Sequence, residues 1–186
     1  NMALANYIKT CAKNTPGNAY EVYIAPTGTT TAVAETSGEI STLTAAIDTF
    51  MKVQADIDTV QFTQEGAFGT SGGYTQNLIM KFSKPSTELN ILVDELVSGI
   101  GCGFEIIWVD ANAKAWLAGV SVDTKEASTR PFNKMTTSMD SGLVMTDEGL
   151  QADTITLTRI SGVRPVELDS ILTAGVIAGT SVFINW

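Results

Sequence analysis

The sequence predicts a mainly β, α+β fold: an antiparallel β-sandwich or barrel flanked by one α-helix at about residues 86–98. Three observations carry this expectation. Several short segments alternate apolar and polar residues with a period of two, the repeat of a strand with one buried face. A single stretch repeats its apolar residues at helical spacing. The order of elements runs through many strands, one helix and then strands again, without the regular βαβ alternation that a doubly wound parallel sheet requires. At 186 residues the chain suits one domain with a core of its own. The expected organisation is an N-terminal arm at 1–18 and a β-rich domain at 19–186, with long loops at 26–38 and 65–73.

Taken in order, Leu4, Tyr7, Ile8 and Cys11 have helical spacing, which suits a short amphipathic helix or an arm docking on a neighbour. Pro16-Gly17-Asn18 breaks that segment. Residues 19–25 (AYEVYIA) alternate as a strand, and 26–38 (PTGTTTAVAETSG) read as a long polar connection. Three β-type runs follow at 39–44, 50–58 and 59–64. In the second, Met51, Val53, Ala55 and Ile57 share one face, and Lys52, Gln54, Asp56 and Asp58 the other. A glycine-rich loop at 65–73 leads to a strand at 74–82. The helix starts with Ser86 as N-cap after Pro85 and has Glu88 in its first turn, where a carboxylate suits the helix dipole. Leu89, Leu92, Val93, Leu96 and Val97 form its apolar stripe, and Gly99 is the expected C-cap. A strand at 103–109, a turn from Asp110 to Ala113 and a partner strand at 114–122 make a hairpin with Trp108 and Trp116 on one side. Residues 128–149 read as an extended excursion. Thr154, Thr156 and Thr158 alternate with Ile155, Leu157 and Ile160 in a further strand, and 175–186 is a β-prone tail.

Composition narrows the functions available. A net charge of −9 and a pI near 4.4 disfavour contact with phosphate backbones or anionic lipid, so neither specific nucleic-acid binding nor membrane association is expected. The most apolar region, 89–109, is interrupted by Asp94, Glu95 and Glu105 and does not read as a membrane span. The first residues lack the basic and apolar regions of a secretory signal, and Met2 after Asn1 reads as the natural start. Cys11 and Cys102 are a pair too distant in sequence to imply a bridge or exclude one.

No catalytic constellation emerges. The chain has no histidine, which removes the commonest general base and metal ligand. Asp56 and Asp58 form a D-x-D pair but share the polar face of an alternating run, where strand charges normally meet solvent. Asp110 and Asn112 resemble a fragment of a calcium loop without its Gly and bidentate Glu, so a turn is the better account. The glycine run 69–73 lacks the Lys-Ser/Thr of a phosphate loop. Adjacent Asp94 and Glu95 diverge on a helix. The expectation is therefore no enzyme, no catalytic residue, no cofactor and no metal. Trp186 suits either packing under the sheet or presentation to a partner.

Several stretches resemble a family of bacteriophage and prophage structural proteins of the tail-tube type. They are Glu39-Ile40-Ser41-Thr42-Leu43, Phe62-Thr63-Gln64-Glu65 before the glycine-rich loop, and Tyr74-Thr75-Gln76 leading toward Met80 and Phe82. The helix from Leu89 to Val97 and the aromatic hairpin from Trp108 to Leu117, with Gly119, complete them. Where such hairpins often carry Asn-Gly, this chain has Asn112-Ala113. The resemblance implies a non-catalytic virion subunit that self-assembles into rings or a tube, with itself and other virion proteins as partners. Its place would be the virion, or the host cytoplasm during assembly. Phe68, Tyr74 and Trp186 are the candidate subunit-contact residues. The alternative is a non-catalytic binding module, for carbohydrate or surface adhesion, using an exposed tryptophan.

Overall fold

In the computed structural model the described residues are 18–36, 39–45, 50–56, 59–69, 72–83, 85–112, 114–119, 131–140, 151–168 and 183–185. They form twelve strands and one helix: β1 (Asn18–Pro26), β2 (Thr30–Thr36), β3 (Glu39–Ala45), β4 (Phe50–Gln54), β5 (Gln61–Ala67), β6 (Gly73–Ser83), α1 (Thr87–Gly99), β7 (Phe104–Asp110), β8 (Ala115–Ala118), β9 (Lys134–Asp140), β10 (Ala152–Ser161), β11 (Val166–Leu168) and β12 (Phe183–Asn185). The larger sheet has the order β12-β4-β1-β7-β8-β11-β3-β2 and the smaller β5-β6-β10-β9. Pairing is antiparallel except where β11 joins β3 and β12 joins β4 in parallel. The architecture is a β-sandwich-like α+β fold in which neither sheet closes into a barrel.

Alternation explains the core between the sheets. Val22, Ile24, Phe104, Ile106 and Trp108 from the larger sheet pack against Leu78, Met80, Ile155 and Leu157 from the smaller, and Leu89, Leu92 and Leu96 of α1 join the same cluster. The larger sheet also buries its other face, since Tyr23, Ile107 and Leu117 occupy the opposite parity and are almost inaccessible. This is why burial runs unbroken from Phe104 to Trp108, Glu105 included, rather than alternating.

The helix start follows the expectation. Ser86 has extended backbone and its Oγ accepts from the Leu89 N–H at 3.1 Å. Its end does not, because Ile100 rather than Gly99 is the C-cap, with a right-handed backbone. Gly99 serves packing instead: a Cβ there would lie 2.7 Å from the Phe104 ring. Val97 leaves the buried stripe and is half exposed.

Three loop expectations are corrected. Within the polar connection 26–38, Thr30–Thr36 forms β2, because its backbone finds an antiparallel partner in β3. The glycine-rich loop 65–73 is shorter than expected, since β5 runs to Ala67 and β6 begins at Gly73. The extended excursion at 128–149 contains β9, recruited by β10 over seven register pairs. The hairpin after β7 is as expected, with Trp108 directly opposite Trp116, although β8 covers only Ala115–Ala118. Residues 1–17, including Cys11, lie outside the described residues, as do Ile57, Asp58, 175–182 and Trp186.

Among the described residues, no helix is long and apolar enough to cross a membrane.

Candidate assembly surface

The residues singled out for chemistry in the sequence resolve into turns and corners. Asp110 Oδ1 accepts from the N–H groups of Asn112 (2.8 Å) and Lys114 (3.0 Å), and its Oδ2 accepts from Trp116 Nε1 at 3.0 Å. One carboxylate thus holds a turn that lacks the usual glycine. Asp56 sits where the chain crosses between sheets; its amide donates to the Lys81 carbonyl at 2.9 Å and its carboxylate accepts from the Ser83 hydroxyl. Its D-x-D partner, Asp58, lies outside the described residues. Asp94 and Glu95 are solvent-exposed on α1. Among the described residues, no three His, Cys, Asp or Glu side chains gather where a metal ion could be held.

Alternation along the strands hides a polar row that the segment-by-segment reading missed. Gln64, Gln76 and Arg159 stand opposite one another across β5, β6 and β10 on the inward face. Gln76 and Arg159 are almost inaccessible. Gln76 Oε1 accepts from Arg159 Nε, and its amide donates to Gln64 Oε1 (2.7 Å) and the Val163 carbonyl (3.0 Å). The Arg159 guanidinium lies over the Phe132 ring, 5.6 Å from its centroid. The signal was present, because Gln76 shares parity with Leu78 and Met80, and Arg159 with Ile155 and Leu157. Ile160, expected on the apolar face, instead stands on the threonine face and is half exposed. Satisfied polar rows of this kind specify register more than they add stability.

On the outward face of the same sheet, a second row is polar and exposed to varying degree. Thr158 Oγ1 donates to Asn77 Oδ1 at 2.7 Å, and Asn77 Nδ2 reaches Thr63 Oγ1 at 3.5 Å. Thr75, Thr136, Thr154 and Thr156 share this face by parity. Its charged members are Glu65, Lys81, Lys134 and Asp140, two of each sign.

The candidate contact residues Phe68 and Tyr74 meet at the end of the β5–β6 hairpin. Their rings pack edge to face with centroids 4.7 Å apart, and Phe68 is 62 % exposed. Arg164 lies over Tyr74 at 5.5 Å from its centroid, and its Nε donates to the Tyr74 hydroxyl at 3.3 Å. Gly66, directly opposite Tyr74, makes the room: a Cβ there would come within 2.7 Å of Phe68 and 2.8 Å of Tyr74. Phe68 can swing away, but the Tyr74 ring held by Arg164 must shift too, so Gly66→Ala is expected to destabilise the fold by about 1–3 kcal/mol in urea unfolding. It should also break the ring contact, read as a change in the tyrosine region of the near-ultraviolet circular dichroism.

Beside this cluster, cavities of about 280 and 380 Å³ share Trp116, Arg164 and Pro165. Of the tryptophans proposed for a binding platform, Trp108 is buried and stacked on Phe62, with centroids 4.3 Å apart. Trp116 is half-buried, and its indole N–H is taken by Asp110. No protein-family model, curated protein or solved structure matches this chain.

Proposed function

We propose that this chain is a non-catalytic structural subunit of phage or prophage origin, of the tail-tube type, that assembles with copies of itself into rings or a tube and with other virion proteins. The observation that supports this reading is the construction of the smaller sheet. Its outer strands, β5 and β9, are each seven residues long. Every pair in it is antiparallel across four strands, so β5 and β9 run in opposite directions. Copies related by a rotation would therefore bring β9 of one against β5 of the next as an antiparallel pair. Outer strands are ready templates for such addition.

The stagger is compatible with closure. Gln64, the middle of β5, stands in the row of Arg159, and Thr137, the middle of β9, stands opposite Ile155. Arg159 and Ile155 are four residues apart on β10, so full overlap needs an offset of four residues for every four strands. That even offset keeps Gln64 and Thr137 on one face. One residue of shear per strand is the ratio at which barrel strands tilt by about 36°. The polar outward face, with its balanced charges, suits a hydrated wall to which a polyanion does not adhere.

Cysteine cross-linking tests the reading. In a chain carrying Cys11→Ser and Cys102→Ser, Gln64→Cys and Thr137→Cys are separated within one copy by three strand spacings, about 14 Å across the strands, and by four residues along them. That is beyond a disulfide, which needs Cβ atoms about 4 Å apart. Oxidation at high protein concentration is expected to give a ladder of covalent multimers, with rings in electron micrographs. A chain that stays monomeric by ultracentrifugation and forms no multimers on oxidation would count against the assembly. The alternative of a binding module rests on the cavities beside Trp116; a glycan that shifts tryptophan fluorescence at micromolar concentration would favour it.

A further inference from the structure

An exposed aromatic ring and an apolar cavity lie at opposite ends of one sheet face. On β6, Tyr74 and Phe82 share the parity of Gln76, Leu78 and Met80, so both project from the inner face of the smaller sheet. They are eight residues apart on the strand, about 27 Å. At the Tyr74 end, the Phe68 ring packs on Tyr74 and stands 62 % exposed, with Arg164 over the same tyrosine. At the Phe82 end, a cavity of about 320 Å³ opens between β4 and the first half of α1. Val53, Phe82, Leu89 and Leu92 wall it, and Ile91 and Glu88 stand exposed beside it. An apolar cavity of about 150 Å³ already takes a benzene ring, so a phenyl side chain fits here.

We propose that this cavity receives Phe68 of a second copy, so that copies stack head to tail. The inference rests on the assembly reading and adds its axial contact: β5 and β9 join neighbours within a ring, and the Phe68 tip joins one ring to the next. A protruding apolar side chain that fits a pocket elsewhere on the same molecule makes a contact that does not close on itself but propagates. Charge favours this occupant. Arg164 brings a positive charge to the tip, and Glu88 is the one acid among the described residues that line the cavity. Lys52 also lines it, but projects with Tyr23 to the other face of the larger sheet, so its ammonium group does not oppose Arg164. One such contact is weak, yet a ring repeats it once per copy, and linked contacts reinforce one another.

The test uses the full chain with the photoreactive p-benzoylphenylalanine in place of Phe68. Irradiation at high protein concentration is expected to join position 68 to Val53 or to residues 88–92 of another copy, since the cavity of its own copy is too distant. In electron micrographs, Phe68→Ser should lose tubes and keep single rings, with the Gln64–Thr137 ladder unchanged. Glu88→Arg should shorten tubes several-fold, and adding Arg164→Glu should restore them. An intact ladder with cross-links only outside the cavity overturns the stacking contact and leaves the ring reading standing. Tubes that persist in Phe68→Ser do the same. Neither ladder nor cross-link removes both. Cross-links into the cavity without a ladder support head-to-tail stacking and count against rings.

Discussion

Replacing Glu105 with alanine is expected to destabilise the fold by about 2–4 kcal/mol, because two backbone donors lose their acceptor. Glu105 lies on β7 with no accessible surface. Its Oε1 accepts from the Gly28 N–H at 2.9 Å and its Oε2 from the Thr30 N–H at 3.0 Å. One side chain thereby holds the turn between β1 and β2. Glu105→Gln should cost about 1–3 kcal/mol, since its NH2 group would face one of those two donors. Urea unfolding at neutral pH measures both.

The pH dependence has a definite sign. Burial raises the Glu105 pKa above its ordinary value, opposed by the hydrogen bonds from Thr30 and Gly28. A raised folded pKa means that the folded state holds the proton more tightly than the unfolded chain. Its contribution to stability is therefore complete below the unfolded value, near about 4.3, and is lost as pH rises through the higher folded value. Glu105→Gln lacks this contribution. The stability difference between wild type and Glu105→Gln is expected to grow as pH falls through that window, and taking the difference cancels the many other acids. A difference that shrinks toward acid pH would sink the assignment.

Gly119→Ala is the other substitution expected to be severe, at about 2–5 kcal/mol. Gly119 follows β8 with φ +88°, where a side chain is strained, and a Cβ there would lie 2.6 Å from the Phe104 carbonyl oxygen. That oxygen accepts from the Phe132 N–H at 3.1 Å and cannot easily move, because Phe104 and Phe132 bond each other in both directions. Gly28 provides the control. Its φ is +92°, yet a Cβ there would meet nothing within 4 Å. Gly28→Ala should therefore show the backbone strain alone, about 1–2 kcal/mol. For a chain of this length, each kcal/mol moves the melting temperature by about 2–4 °C, so calorimetry separates the two readily. Equal shifts for both would mean that the close approach at Phe104 is relieved at no cost.

Elements whose cause is local were legible. The cap at Ser86, the acid at Glu88 and the spacing of Leu89, Leu92 and Leu96 lie within one short segment, and α1 begins where they place it. Period-two alternation marked β1, β6 and β10 for the same reason, since the repeat is written into consecutive residues. The candidate contact pair was legible only as two aromatic residues flanking a glycine run. That Phe68 and Tyr74 touch depends on Gly66 lying opposite Tyr74, a matter of register between strands.

What residue types and their spacing determined by themselves was a mainly β chain with one helix, no histidine and an acidic balance, because composition and short-period pattern act over a few residues. Tertiary structure alone decided that a threonine-rich connection becomes β2, that β9 is drawn into the smaller sheet, and that the outer strands of that sheet run in opposite directions. It also decided that Glu105 closes a turn more than seventy residues away. Such features come from backbone groups finding partners across the chain, and a buried N–H or carboxylate must take whichever partner the topology brings. No local pattern records that choice.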